Sequence, residues 1–291
     1  MKIGLIGTGM LGESVGLHLL QSGYQLIAYN RTDEKTKELK TNGAQIVSTP
    51  KEVALNSDIV ITVVKDSNAV RQVSFEEDGI IFGNHKGLIV CDMSTINPLE
   101  SKKISKKFFE QNISMLDTPV MGGPNVAING NLVMMAAGNK DSFTKCKKLF
   151  ETIANKVFYL GENGSAHAVK LAMNLQITLL ALALSEGITL VRGAKIDPAI
   201  FLEILNSTYF KTGMSENKAS KMIQGKFEAT FTLENLKKDI HTISETSKSF
   251  ELELPMIKKA EEIYENAVNE GFGNLDYTGI LAYLKKINEK N

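Results

Sequence analysis

The chain has no tryptophan, two cysteines and six prolines among its 291 residues. Cys91 and Cys146 are too few for a disulfide framework. Each lies beside an apolar segment, and both read as buried thiols of a reducing compartment, the cytoplasm. Net charge is lacking too, since 33 Lys and Arg balance 33 Asp and Glu. A neutral chain offers no concentrated basic face, so nucleic acid and anionic membranes lose their electrostatic case as partners. Long apolar runs are also missing. One uncharged run, between Lys170 and Glu186, has 15 residues and includes Asn174, Gln176 and Thr178. A membrane span needs about 20, so this run reads as a buried helix. The glycine-interrupted start, MKIGLIGTGM, lacks the apolar core and cleavage site of a secretory leader. The histidines His18, His85, His167 and His241 show no metal-ligand spacing, and no metal is expected. What is present is ordinary: 43% hydrophobic and 23% charged residues, at a length that suggests about two domains.

The first half alternates short β-type runs with amphipathic helical ones. KIGLIG, YQLIAYN, DIVITVV, GLIVCDM, ISMLD, LVMMAAG and KVFYL read as strands, several apolar throughout, as in a sheet covered on both faces. Helical patterns fall at 10–23, 33–41, from Pro50 onward, 98–111 and 143–150. Lys102, Lys103, Lys106 and Lys107 form one solvated helix face. This order predicts an N-terminal Rossmann-type, doubly wound α/β domain over residues 1–163. Beyond Gly164 the period changes. Residues 165–194 read as one long helix, and Asp197-Pro198 opens another with a cap and a first-turn proline. Helical patterns continue at 232–250, 255–270 and 276–287, with no period-2 run. Residues 164–291 are therefore expected to form an all-α domain, joined to the first through the long helix.

Gly7-Thr8-Gly9-Met10-Leu11-Gly12 follows a strand and opens a helix, with a second strand beyond. That is the context in which G-x-G-x-x-G binds a dinucleotide. Gly7 permits the tight turn, Gly9 lets backbone approach a pyrophosphate, and Gly12 lets helix and strand pack closely. The helix N-terminus adds free N–H groups and the positive dipole end. A glycine-rich turn without a ligand is the plain alternative. An NAD site wants an acidic residue at the end of the second strand, for the ribose 2′-hydroxyl. Asn30-Arg31-Thr32 stands there instead. Arg31 can pair with a 2′-phosphate and Thr32 can add a donor, which makes NADP(H) the preferred cofactor; Asp33, just beyond, keeps NAD(H) open.

Lys170 and Asn174 lie at i and i+4 on the long helix, on one face. Lys170 is flanked by Ala166, Ala168, Val169, Leu171 and Ala172. An amine kept partly dry can exchange a proton near neutral pH. Taken alone, Lys170 reads first as a lysine snorkelling out of an apolar helix.

Together these motifs resemble the β-hydroxyacid dehydrogenase family, relatives of 3-hydroxyisobutyrate dehydrogenase and of the glyoxylate/succinic semialdehyde reductases within the 6-phosphogluconate dehydrogenase superfamily. The resemblance spans essentially the whole length. It rests on GLIGTGMLG, on Asp117-Thr118-Pro119-Val120-Met121-Gly122-Gly123, on Ala127-Ile128-Asn129-Gly130 leading to Leu132, on GENGSAHAVKLAMN, and on Lys237-Lys238-Asp239. It implies that Lys170 gives a proton to a carbonyl oxygen as the nicotinamide delivers hydride, and that Asn174 orients the substrate. Gly122 and Gly123 match backbone donors for a substrate carboxylate, with Met121 beside them in the substrate site. Ser94 and Thr95 match the loop at the nicotinamide end, Ser94 toward substrate and Thr95 toward cofactor. Val63 and Val64 belong with the cofactor residues, and Lys238 closes over cofactor and substrate from the helical domain. Phe231 walls the pocket or belongs to the core. His167 and His241, three residues from Lys170 and Lys238 respectively, read as surface or supporting positions.

Two departures matter. Met121 replaces the family's usual serine, and a thioether cannot donate a hydrogen bond, so a bulkier or more apolar substrate is favoured. Lys65 stands where the family commonly has proline or a small residue, and reads either as a contact to the cofactor phosphates or, slightly favoured, as pointing to water. The expected activity is NADPH-dependent interconversion of a small aldehyde or oxo acid with its hydroxy acid. A homodimer or homotetramer is expected through the helical half, because the apolar stretch 171–184 exceeds what one domain covers. An imine reductase is the first alternative, against which Lys170 argues. A nucleotide-binding module without catalysis is the second, against which Lys170, Asn174 and Lys238 argue together.

Overall fold

A computed structural model describes residues 1–289. The chain forms two compact units, Met1–Leu171 and Ala172 onward. In the first, the strands are β1 (Lys2–Ile6), β2 (Gln25–Tyr29), β3 (Gln45–Ile46), β4 (Ile59–Thr62), β5 (Ile89–Asp92), β6 (Ser114–Asp117), β7 (Val120–Met121), β8 (Leu132–Gly138) and β9 (Ala154–Tyr159). They join in the order β3-β2-β1-β4-β5-β6-β8-β7, with β9 also on β8. From β3 to β6 all neighbours are parallel. β8 then runs antiparallel to β6 and β7, and β9 runs parallel to β8.

Alternate residues of the central strands feed two separate cores. Ile3, Leu5, Ile59, Ile61, Ile89 and Cys91 meet Val15 and Leu19 on one face. Ile6, Val60 and Val90 meet Val70, Ile104 and Phe108 on the other. A sheet covered on both sides needs apolar residues at every position, which is why these strands carry no polar alternation.

The helices of this unit are α1 (Met10–Gln21), α2 (Lys37–Thr41), α3 (Pro50–Leu55), α4 (Ser67–Phe75), α5 (Pro98–Glu110), α6 (Pro124–Ala127) and α7 (Lys140–Ile153). Thr49 and Glu52 close a reciprocal capping box at the start of α3. The helix expected over 33–41 divides into a 3₁₀ turn, Asp33–Thr36, and α2. Thr8 Oγ1 donates to the Lys35 carbonyl at 2.6 Å, diverting an acceptor that a continuous α-helix would need. Sequence periodicity also missed β3, β7, α4 and α6. Two of these are strands of two residues, set by partners far away in the chain rather than by any local pattern.

One long helix, α8 (Ser165–Gly193), runs from the first unit into the second. The division falls inside this helix, eight residues after the expected boundary. Its first turns belong with the sheet, where Ala166 is buried beside Met135 and Ala137. By length and composition α8 could cross a membrane, a test that core helices of soluble proteins also pass. Its polar residues Asn174, Thr178 and Ser185 are buried within the fold.

The second unit is helical: α9 (Pro198–Asn206), α10 (Gly213–Asn217), α11 (Ala219–Ile223), α12 (Leu233–Ser249), α13 (Pro255–Ala267) and α14 (Ile280–Glu289). Among the described residues its β pairing is one bridge, Thr232 to Asp276. The helix expected to reach residue 270 stops at Ala267 and unwinds through a π turn, where Gly271 takes φ +93°. Leu184, Ile188, Leu202, Ala219, Met222 and Leu281 make one core cluster. A buried carboxylate pins the loops. Asp276 accepts from Lys218 Nζ at 2.8 Å on both oxygens, from Thr230 N at 3.1 Å and from Thr278 Oγ1 at 2.8 Å.

Candidate active site

β1 and β4 are neighbours, yet the chain leaves β1 toward β2 on one side and arrives at β4 from the other. The order of winding reverses there, and loops at the carboxyl edge part to leave a crevice. The glycine turn occupies that edge. Gly7 has φ +97°, and a Cβ there would meet the Val63 carbonyl oxygen at 2.2 Å. A Cβ on Gly12 would lie 2.1 Å from the Gly7 carbonyl oxygen. Above Gly9 the space is open, with nothing within 4 Å of where a Cβ would be. Gly9 caps α1 without a side-chain hydrogen bond, so the first N–H groups of the helix keep donor capacity. Tight packing below and open space above fit a pyrophosphate on the helix end. Met10 is exposed and Leu11 half-buried on that turn.

Asn30, at the end of β2, braces the turn by accepting from Thr8 N at 3.1 Å. Arg31 and Thr32 follow it and are exposed, as a contact to a ribose substituent requires. Thr8 itself is buried and spends its hydroxyl on Lys35. Val63 and Val64 are half-buried after β4; Lys65 is exposed. Ser94 Oγ accepts from Val64 N at 3.0 Å, tying the loops after β4 and β5 together. Ser94 is buried, with the half-buried Thr95 next to it. Its hydroxyl thus builds the loop scaffold that presents Thr95.

β7 and the turn that follows it carry Met121, Gly122 and Gly123. Gly122 has φ +120°, the region that favours glycine, and it is exposed. Lys170, on the second turn of α8, brings its Nζ to 3.3 Å from Met121 Sδ. The expected proton donor and the residue replacing the family's serine are therefore in contact. One turn further on, Asn174 is buried and donates through Nδ2 to Asp239 Oδ2 at 2.6 Å. Asp239 also forms an ion pair with Lys238. The helical unit thus joins Asn174, Lys238 and Asp239 in one network. Asp239 entered the sequence reading only as part of the Lys237-Lys238-Asp239 motif, with no role of its own, although a signal existed: it is an acid on the helix face of Leu236, Ile240 and Ile243, all buried. Phe231 stacks 6.1 Å from Tyr277 within this unit.

Two histidines resolve differently. His241 is exposed and bonds Glu261 at 2.8 Å. His167 is fully buried rather than at the surface, with Nε2 3.7 Å from Asp92 Oδ2 and 3.8 Å from Asp117 Oδ1. Burial pushes the Asp92 carboxyl up, against the opposing pull of His167, Thr62 and Ser94. Cys91 and Cys146 are buried free thiols; a hydrogen bond to Cys146 and burial push the Cys91 thiol up. Among the described residues, no group of three or more His, Cys, Asp or Glu could hold a metal ion.

Comparison with known proteins agrees with this geometry. Residues 2–161 match the NAD binding domain of 6-phosphogluconate dehydrogenase, and residues 164–284 match the NAD-binding family of NADP-dependent 3-hydroxyisobutyrate dehydrogenase. The chain belongs to the β-hydroxyacid dehydrogenase family. Among its relatives is the uncharacterized oxidoreductase YfjR of Bacillus subtilis, 33% identical over 98% of this chain and 100% of that one. Glyoxylate/succinic semialdehyde reductase 1 of Arabidopsis thaliana is 27% identical over 98% of this chain and 99% of its own. A solved 3-hydroxyisobutyrate dehydrogenase from Salmonella typhimurium shares the fold, with a TM-score of 0.88 and 24% identity over 97% of this chain and 99% of that one. A β-hydroxyacid dehydrogenase is an NAD(P)-dependent oxidoreductase, the activity class of this chain.

Proposed function

We propose that this β-hydroxyacid dehydrogenase is an NADPH-dependent reductase that interconverts a small aldehyde or oxo acid with its hydroxy acid. The observation that carries the reading is the Lys170 ammonium 3.3 Å from Met121 Sδ, beside the exposed Gly122 turn. Similarity to the Arabidopsis glyoxylate/succinic semialdehyde reductase supports the substrate class.

The residues that would hold the cofactor are Gly7, Gly9 and Gly12 with the N-terminus of α1 at the pyrophosphate, Arg31 and Thr32 at a 2′-phosphate, and Val63, Val64 and Thr95 along the groove. The nicotinamide, when bound, supplies hydride to the carbonyl carbon. Lys170 Nζ holds the proton that goes to the carbonyl oxygen, so that the C=O gains one hydride and one proton and becomes an alcohol. Gly122 and Gly123 offer backbone N–H groups to a substrate carboxylate. Asn174 Oδ1 is buried and accepts no hydrogen bond among the described residues; the family resemblance gives Asn174 the role of orienting the substrate. Asp239 fixes which way the Asn174 amide faces by accepting the hydrogen bond from its Nδ2. Met121 puts a thioether where a hydroxyl would otherwise donate, which selects against substrates that need that donor.

The same reading includes a homodimer or homotetramer in the cytoplasm. Val169, Met173, Leu180 and Leu190 are exposed apolar residues along α8, and Ile200 and Ile204 continue them on α9. Light scattering in solution checks the assembly.

NADPH absorbance with glyoxylate, succinic semialdehyde, methylmalonate semialdehyde and cyclic imines tests the activity. Oxidation with at least one of the carbonyl acids is expected. Oxidation with imines alone would make it an imine reductase, and tight NADPH binding with no oxidation would make it a nucleotide-binding module.

A further inference from the structure

Three buried titratable side chains, Asp92, Asp117 and His167, meet near the start of α8. Asp92 ends β5 and Asp117 ends β6, and the two are register partners on adjacent parallel strands. Both carboxylates are fully buried. Asp117 is well supplied: Oδ1 accepts from Ser101 Oγ at 2.6 Å and from Asn163 Nδ2 at 2.8 Å, while Oδ2 accepts from the Gly164 N–H. Asp92 is half supplied. Its Oδ1 accepts from Thr62 Oγ1 at 2.7 Å and Ser94 N at 3.2 Å, whereas Oδ2 has no hydrogen-bond partner among the described residues. What faces that oxygen is His167 Nε2, at 3.7 Å.

Two buried carboxylates side by side repel each other when both are ionised, and a fully buried imidazole whose nitrogens lack hydrogen-bond partners among the described residues costs desolvation as well. Stability alone does not favour such a group, since an apolar side chain of similar volume would fill the space. Its placement is specific instead. The end of β5 leads directly into Ser94 and Thr95. The end of β6 leads through Thr118 and Pro119 to Met121, Gly122 and Gly123. His167 is three residues before Lys170 on α8, and i, i+3 residues share a helix face. One imidazole therefore touches the roots of three segments that carry candidate site residues.

We infer that His167 is the positioning residue of Lys170: by bridging Asp92 and Asp117 it sets the rotation of the first turns of α8, and with it the place of the Lys170 amine over Met121. The Gly164 N–H held by Asp117 fixes where the helix starts; His167 fixes how it is turned. A rigid helix passes that rotation to a side chain one turn away.

The inference rests on Lys170 being the proton donor, so its test has one arm that needs no turnover. In the protein without added cofactor, site-resolved labelling of lysines by trinitrobenzenesulfonate gives the rate at Lys170 relative to the exposed Lys103. His167→Phe, which keeps ring volume but loses the bridge, should change that ratio several-fold. It should also lower kcat by roughly ten- to a hundredfold, the scale of a misplaced reacting group, while KM for NADPH holds. His167→Gln, whose amide can still reach a carboxylate, should recover part of both effects. A loss of fold without repositioning would move KM and thermal stability with no graded rescue. An unchanged labelling ratio and unchanged kcat in folded His167→Phe would overturn the inference. Where His167→Phe does not fold, Asp92→Asn, which still accepts from Thr62, carries the test with the same two outcomes. If wild type reduces no carbonyl, the proposed activity fails on its own and the labelling ratio still decides the role of His167.

Discussion

The two units build their polar features in different ways. In the first, binding capacity is largely backbone: the turn at Gly7, the open space at Gly9, the uncapped end of α1 and the exposed Gly122, all at the carboxyl edge of one sheet. In the second, capacity lies in side-chain networks, Asn174 with Asp239 and Lys238, and Asp276 with Lys218, Thr230 and Thr278. A backbone site follows from topology and tolerates varied side chains around it. A side-chain network depends on every member, because a buried partner left alone costs its full desolvation.

That contrast can be broken at its centre first. Lys170 is the side chain on which the backbone-built unit depends. Lys170→Ala should lower kcat by on the order of 10²- to 10⁴-fold, the range of general acid catalysis, with NADPH affinity unchanged by fluorescence titration. Retained turnover would remove Lys170 from the reaction.

The next largest effect belongs to the helical unit. Asp276→Ala removes the acceptor of Lys218 and of four hydroxyl or amide donors, and should cost about 3 kcal/mol by denaturant unfolding, with protection from hydrogen exchange lost first around residues 218–232. The two units should also respond oppositely to pH. Burial opposes ionisation of Asp276, but its ion pair with Lys218 and the bonds from Thr278 and Thr230 outweigh it and hold the carboxyl below its usual range. Its contribution is present above the unfolded carboxylate range, near about pH 4, and is lost as pH falls through the depressed folded value. Asp92 is raised instead, so the native state holds its proton longer than the unfolded chain. Stability then declines as pH climbs from the unfolded carboxylate range through the raised one. Melting curves against pH should flatten on the acid side in Asp276→Asn, and lose the decline in Asp92→Asn.

A smaller change probes the cofactor within the first unit. Arg31→Asp should weaken NADPH binding by roughly tenfold or more and move preference toward NADH, as expected when a charge-assisted contact to phosphate becomes repulsive. An unchanged ratio of the two affinities would deny Arg31 that role. The smallest expected effects compare the reciprocal caps of the two units. Thr49→Ala and Thr212→Ala each remove a capping box and should each cost about 1 kcal/mol by denaturant unfolding.

What could be read from residues alone follows the same division. KIGLIG, the glycine turn and the helix at Met10 were legible because strand, turn and helix are contiguous and each leaves a local pattern. The long helix was legible from its apolar period. β7 and α6 were not, since Val120 and Met121 become a strand only by pairing with Met134 and Val133. α10 and α11, five residues each, are too short for a periodic signal. Within the site, Lys170 and Asn174 shared a helix face in the sequence, whereas the Asn174–Asp239 bond spans 65 positions that no local pattern connects. For His167 the sequence left surface and supporting positions open, because the acids that face it lie at Asp92 and Asp117, on two other elements of the chain.

Chemical rescue of Lys170→Ala tests the central assignment most directly. With NADPH and whichever carbonyl acid wild type reduces, added methylamine should restore turnover in proportion to its concentration, while Asn174→Ala gains nothing from the amine. Full activity of Lys170→Ala without amine, or equal stimulation of both variants, would contradict the role given to Lys170 Nζ as the proton donor.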